Sequence, residues 1–389
     1  MNFLWRIINS KHFRHYATLA LVFITAVALF STSAWQLYEA PPEPTPEPTP
    51  SPSPELTPPP IPTPTPEPPP TPTPEPTPTP EPGPENPLTG LEMQDDITRN
   101  RPVAVMVGNT HDALPQNGIS QADILYEVLV EGGMTRFMAV FKDYTRIGTV
   151  GSIRSARHYF AELVESYDAI YLSAGGSPPG INEIKARNIT HYSEGSSVIV
   201  VNRNRVGGVT YERMHSLTTS GELLTKELSQ TDKRLEHEEE YEHAFTFTDD
   251  ATPAGGLKAQ DVAVRFSSSK SSSLKYDTDR NVYFMRQYNR DLIDANNGKQ
   301  LSFSNILVLV NRDSALQGQH AGAGRRDMTF VGSGEGFFVH GGKYIQIEWS
   351  RVDKSSQFVY TLKDGTKLEL GRGKTYICVV PTDTSVTFS

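Results

Sequence analysis

Cysteine is nearly absent: Cys378 stands alone among 389 residues. An intrachain disulfide is therefore impossible, and so is a zinc site built from cysteine pairs. A bacterial lipoprotein is also excluded, because that anchor needs a cysteine just after the apolar leader. Cys378 instead lies in the run TYICVV, where a buried, inert thiol is expected. Basic charge is scarce as well. The formal net charge is −9, and Ala40–Pro87 holds seven Glu with no Lys or Arg, so −9 + 7 leaves −2 for everything else. Without a basic excess, nucleic acid is not an expected partner. Familiar catalytic words are missing too: there is no G-x-S-x-G, no H-E-x-x-H and no Ser-x-Gly-Cys.

What is present centres on Ala122–Phe141, ADILYEVLVEGGMTRFMAVF. Two apolar runs flank Gly132–Gly133, a pair that can take φ > 0 at both positions of a tight hairpin. Written as a two-residue hairpin, one face carries Ile124, Tyr126, Val128, Val130, Thr135, Phe137, Ala139 and Phe141, a core face. The other carries Asp123, Glu127, Glu131 and Arg136 among apolar residues, with Arg136 facing Leu129 and within diagonal reach of both glutamates. Buried charges are costly unless paired or used, which marks this face as a candidate site. A helix from Gln121 to Gly132, with the three acids at i, i+4 and i+8, is the competing reading.

Residues 1–16 form a basic tail, and the uncharged run 17–35 is just long enough to span a membrane. Basic residues before it and acidic ones after it place the bulk of the chain outside the cytoplasm. An uncleaved signal-anchor is expected, with a cleaved signal peptide as the rival. Residues 36–85 are a disordered Pro/Thr/Glu-rich linker, an extended stalk of ~3.1 Å per residue.

The folded part divides into an α/β domain, 86–243, and a smaller mostly-β domain, 244–389, an α+β chain in all. Val103–Val107 reads as a buried strand. His158–Tyr167 has helical spacing, which puts Arg154 and Arg157 at a helix N-terminus. There they serve an anion, or pair with Glu127 and Glu131 to hold the domain together. Asp168–Ser173 reads as a strand that enters a Gly-rich turn and a helix capped near Ser177. The turn matches neither a P-loop nor G-x-G-x-x-G. His215, in a loop, is a candidate general base or phosphate donor. After Phe245 short β runs alternate with turn signals. Asp277–Asn281 imitates a calcium loop but lacks its Gly and its final Glu.

These words together resemble the YerB-like proteins, a bacterial surface family defined as a domain of unknown function. The matching residues are Asn86-Pro87-Leu88-Thr89-Gly90, Arg101-Pro102-Val103-Ala104-Val105-Met106-Val107 with Asn109, and Pro115-Gln116 with Gly118. They continue through Gln121-Ala122-Asp123-Ile124, Tyr126-Glu127, Glu131-Gly132-Gly133, Thr135-Arg136-Phe137, Arg154-Ser155-Ala156-Arg157 and Gly175-Gly176-Ser177. His215 matches, but Ser216 replaces the usual Asn, and Ser152 replaces a proline. Trp349 and Gly373-Lys374-Thr375 fit the C-terminal part. The resemblance implies two domains outside the cytoplasm and no named activity. Its members are usually lipoproteins, so the anchor here departs from the family while the domain does not.

Two functions follow. The first is a membrane-anchored envelope protein that binds an anionic or wall-associated ligand, or a protein partner. The second is a metal-dependent enzyme acting on a pyrophosphate-linked lipid glycan, with carboxylates holding a divalent cation and arginines clamping phosphate oxygens. The order of its acids and arginines resembles wall-polymer phosphotransferases of the LytR–CpsA–Psr type. The candidate ligand-binding residues are Asn109, Asp123, Glu127, Glu131, Arg136, Arg154, Arg157, Ser177 and His215.

Overall fold

Three runs set the architecture: Val103–Asn109 (β1), Ile124–Leu129 (β2) and Thr135–Phe141 (β3) are buried along their whole length. Strands apolar on both faces need cover on both faces, so they belong in the middle of a layered sheet. The computed structural model describes residues 83–389. The expected tail, membrane span and nearly all of the linker lie outside the described residues. Among the described residues, no helix is long and apolar enough to cross a membrane.

β1, β2 and β3 lie centrally in an eleven-stranded sheet. β3 pairs antiparallel with both β1 and β2. Beyond β1 follow two parallel strands, Ile170–Ser173 and His191–Ser193. On the other flank β2 takes Thr375–Pro381 as a parallel neighbour, and Asn305–Asn311 follows, also parallel. The antiparallel pair Gly332–His340 and Lys343–Arg351 continues the sheet. One sheet thus draws strands from 86–243 and from 244–389, and both segments lie in one compact unit.

The described residues are mostly β, with few helices. The α/β character expected of 86–243 reduces to three short helices: His158–Ser166 (α1), Pro178–Ala186 (α2) and Gly221–Leu228 (α3). The start of α2 is explicit in its sequence: the Ser177 hydroxyl accepts from the Gly180 amide, and proline occupies the first turn. Helix α1 covers one face of the sheet. The Tyr159 hydroxyl donates to Leu129 O at 2.9 Å, and Tyr167 meets Tyr126 hydroxyl to hydroxyl at 2.7 Å.

A second, six-stranded sheet covers the opposite face. It contains Asp261–Arg265, Ser271–Asp277, Val282–Gln287 and Val386–Phe388. Burial alternates residue by residue along Asp261–Arg265 and over 271–275, the pattern of a sheet with one face packed and one solvated. Asp277–Asn281 is a turn between two of its strands, where the Arg280 amide donates to Asp277 Oδ1.

The hairpin forms, but its register differs from the two-residue reading. Leu129 pairs with Thr135, Val128 with Arg136 and Glu127 with Phe137. The connection is five residues long, because Glu131–Gly133 makes its own tight turn, with the Met134 amide donating to Glu131 O. A one-residue shift moves every β3 side chain to the other face. Arg136 therefore lies with Tyr126 and Val128 on the face under α1. Glu127 lies with Leu125, Leu129 and Thr135 on the face under the second sheet. The two charges expected to share a face are on opposite sides.

Gly132 and Gly133 take φ of 69° and 70°. At Gly133 a Cβ would also sit 3.1 Å from Ser267 Oγ. Gly133→Ala is expected to lower stability by about 1–2 kcal/mol, the usual strain of a left-handed non-glycine residue, read as a shifted urea midpoint with an unchanged slope.

Candidate functional site

The nine candidate residues fall into three places. The first is a buried carboxylate. Glu127 is fully buried, and five side chains donate to it. Asn109 Nδ2 and Thr135 Oγ1 reach Oε1 at 2.9 and 2.6 Å. Ser272 Oγ, Gln287 Nε2 and the Tyr376 hydroxyl reach Oε2 at 2.9, 3.1 and 2.7 Å. Lys270 Nζ lies 3.8 Å from Oε1 and donates to Gln287 Oε1 at 2.7 Å. Burial pushes the Lys270 ammonium down to about 8, against the pull of Glu127. The Tyr288 ring covers that ammonium at 4.2 Å. A carboxylate so fully engaged is a structural joint.

The second place holds Asp123, just before the start of β2. Three residues lie between it and Glu127, a strand rise of roughly 13 Å. It accepts from the Lys142 amide at 2.6 Å and from Asn86 Nδ2 at 3.0 Å. Burial pushes its carboxyl up to about 6, against those hydrogen bonds and the Lys374 charge.

The third place is the arginine group, at the carboxyl ends of the parallel strands on the α1 side. The segment Arg154-Ser155-Ala156-Arg157 is laced to the neighbouring backbone. The Arg154 amide donates to Met106 O, the Ala156 amide to Gly175 O and the Ser177 amide to Ala156 O. A Cβ at Gly180 would stand 3.1 Å from Ala156 O and from the Arg157 Cα, so only glycine admits this approach. Arg157 makes a two-pronged pair with Glu131, at 2.5 and 2.7 Å. Arg136 is buried and donates to Ser155 O. Arg154 donates to Met214 O at 2.5 Å. Burial, then the nearby Arg157 charge, pulls Arg136 down to about 10 and lowers Arg154 as well.

Helices α1 and α2 both begin at this edge, immediately after Arg157 and Ser177. Their dipoles disfavour cations there, which leaves the guanidiniums poorly neutralised. Two further polar groups belong to the neighbourhood. Tyr171 is fully buried, its hydroxyl has no hydrogen-bond partner, and it lies within electrostatic reach of Arg136 and Arg157. His215 is buried with its Nδ1 unpartnered. Burial, then the Arg154 charge, lowers its pKa. Ser177 is occupied as a helix cap.

The three acids offered for a divalent cation therefore do not converge. Among the described residues, no three His, Cys, Asp or Glu side chains are placed to hold a metal ion. Sequence reasoning missed Lys270, Ser272, Gln287, Tyr376 and Tyr171, because each earns its place only by long-range packing. Cys378 is buried and free, its thiol pushed up by burial.

Two family models match this chain, over most of its described length. The N-terminal domain of a protein of unknown function, DUF3048, matches residues 88–234, and the C-terminal domain of the same family matches residues 262–377. The chain belongs to the DUF3048 family. The protein named "Putative lipoprotein YerB" of Bacillus subtilis (strain 168) is 31% identical over 305 residues, which is 76% of this chain and 86% of that protein. The crystal structure of YerB protein from Bacillus subtilis matches with a TM-score of 0.66 and 27% identity, covering 78% of this chain and 99% of that one. The YerB-like resemblance read from the sequence is thus borne out.

The DUF3048 words acquire physical roles here. Asn86 holds Asp123 through its side chain, and the Gly373 amide donates to Thr89 O, so the opening NPLTG word ties the described start of the chain to its last strands.

Two outcomes follow. Glu127→Ala strands Lys270 without its buried partner and should cost about 3–5 kcal/mol in urea denaturation; a loss no larger than that of a surface substitution would show that the network does not hold the fold. Asp123 has a folded pKa raised above its ordinary 3.8. The stability from its protonated form is fully present below that value and is lost as pH rises through about 6. Unfolding free energy measured across this range should decline with rising pH, and Asp123→Ala should remove that slope.

Proposed function

We propose that this protein is a membrane-tethered, extracytoplasmic binding protein of the bacterial envelope, and that Arg136, Arg154 and Arg157 take an anionic ligand of the wall or its lipid precursors. One observation carries the reading: Glu131 answers Arg157 directly and Arg136 at longer range, while Arg154 adds a third guanidinium beside those two with no carboxylate of its own among the described residues, all near the N-termini of two helices. Fork-shaped donors beside the start of α1 suit phosphate or carboxylate oxygens, whereas α2 opens on Pro178-Pro179 with its Gly180 amide taken by Ser177 and so contributes its dipole but no free amide.

The location rests on the uncharged run 17–35, with basic residues on its near side, and on the relative named as a lipoprotein. With no cysteine after that run, the tether here is a single-pass helix, and the Pro-rich linker is the spacer that carries the domain away from the membrane. A wall component or an envelope protein is the partner class, and nucleic acid is not. A metal-dependent phosphotransferase needs gathered carboxylates. Asp123 and Glu127 are bonded elsewhere and Glu131 is held by Arg157, so binding is the reading argued here.

Glu131 acts as an internal stand-in for the ligand anion, since it already fills the Arg157 fork. The full-length chain in detergent should gain melting temperature with pyrophosphate or a polyprenyl phosphate, scaling as RT ln(1 + [L]/Kd). Arg154→Ala/Arg157→Ala should abolish the gain. Glu131→Gln should strengthen binding by about fivefold, near 1 kcal/mol. An absent shift, or one that survives in the double variant, overturns the reading.

A further inference from the structure

The strands of the main sheet depart in opposite directions from one seam. β2 leads rightward into β3 and β1, whereas Thr375–Pro381 and Asn305–Asn311 belong to the flank that continues into Gly332–His340. In open sheets with parallel strands, ligands settle outside the carboxyl ends at the point where strand order reverses. A crevice of about 670 Å³ lies at that point here. The end of β2 at Leu129–Val130, Pro381 at the end of its parallel neighbour, and Asp313 just after Asn305–Asn311 all line it. Its size falls within the usual span of small-ligand sites.

The lining decides the ligand class. Ser268 and Ser385 supply hydroxyls, Thr384 Oγ1 donates to Pro381 O and keeps acceptor capacity, and the Gly132–Gly133 backbone closes one wall. The tip is held in place, because Ser267 Oγ donates to Gly133 O at 2.6 Å. Two guanidiniums reach the crevice. Arg326 is engaged by Asp313. Arg265 has no carboxylate partner among the described residues, and its Nε donates only to Ser267 O, at 3.2 Å. Asp383 lies on the same lining. Leu129, Val130, Phe266 and Pro381 give some apolar surface, but charged and hydroxyl side chains outnumber them, so an acyl chain would leave polar groups unpaired. A ring carrying several hydroxyls and one acidic group satisfies the lining. Its hydroxyls exchange hydrogen bonds with Ser268 and Ser385 and donate to Asp383 and Thr384 Oγ1, and its carboxylate meets the free Arg265 fork.

We propose that this crevice, which adjoins the Glu131 turn but is lined by none of Arg136, Arg154 and Arg157, is a second binding site, and that it takes an acidic saccharide. Titration calorimetry on the full-length chain tests it, with D-glucuronate and N-acetylmuramic acid as acidic sugars, N-acetylglucosamine as the neutral one and acetate as the bare charge. The acidic sugars should bind at least about tenfold more tightly than acetate or the neutral sugar. Arg265→Ala should weaken them by about tenfold, and Ser385→Ala by a smaller factor, with the melting temperature unchanged. Pyrophosphate binding should be untouched by both substitutions, and acidic-sugar binding should survive Arg154→Ala/Arg157→Ala. Equal affinity for acetate and the acidic sugars, no saccharide binding at millimolar concentration, or full binding in Arg265→Ala overturns the proposal.

Discussion

Everything in this fold depends on how one carboxylate is kept out of water. Glu127 sits at the middle of β2, fully buried, and an ionised group there would be prohibitive without partners. Its partners come from both ends of the chain: Asn109 and Thr135 from the first half, Lys270, Ser272, Gln287 and Tyr376 from the second. The second sheet can seat on the main sheet in one arrangement only, the one that delivers these donors. Apolar packing makes the layers adhere, and the Glu127 network fixes where they stop. Hydrogen bonds to a charged acceptor are strong and directional, so they select a register that greasy surfaces alone would not.

The other charged feature obeys a different logic. Around Glu127 every demand is met. Around Arg136, Arg154 and Arg157 it is not: one glutamate serves Arg157 and Arg136, Arg154 reaches only a backbone carbonyl, and the Tyr171 hydroxyl and His215 Nδ1 remain unpartnered in the same region. Saturated polar networks hold proteins together, whereas undersupplied ones sit where something else is expected to arrive. That contrast separates residues which looked alike as a string of acids and arginines.

Much of this was legible in the chain, and the failures are instructive. The buried strand at Val103–Val107, the hairpin around Gly132–Gly133, the helix after Arg157 and the Ser177 cap follow from periodicity and capping chemistry. So does the β texture after Phe245. The register did not follow. Glycine pairs announce a turn but not its length, and here the turn keeps five residues. One residue of error put Arg136 and Glu127 on one face instead of two. The partners of Glu127 were equally hidden, since nothing local marks Ser272 or Tyr376 as the companion of a residue more than a hundred positions away.

The place of Thr375–Pro381 carries a consequence for how the protein comes into being. This strand is wedged between β2 and Asn305–Asn311, parallel to both. It also follows β2 in the chain by more than two hundred residues. Until it arrives, two long apolar strands have bare edges facing each other with nothing between them, and the central sheet cannot close. Assembly cannot proceed half by half from the N-terminus as synthesis runs. It waits for Thr375–Pro381, and bare edges of this kind invite pairing with other chains in the interval. That strand is the keystone of the sheet: the two flanks become one surface only when it is in place.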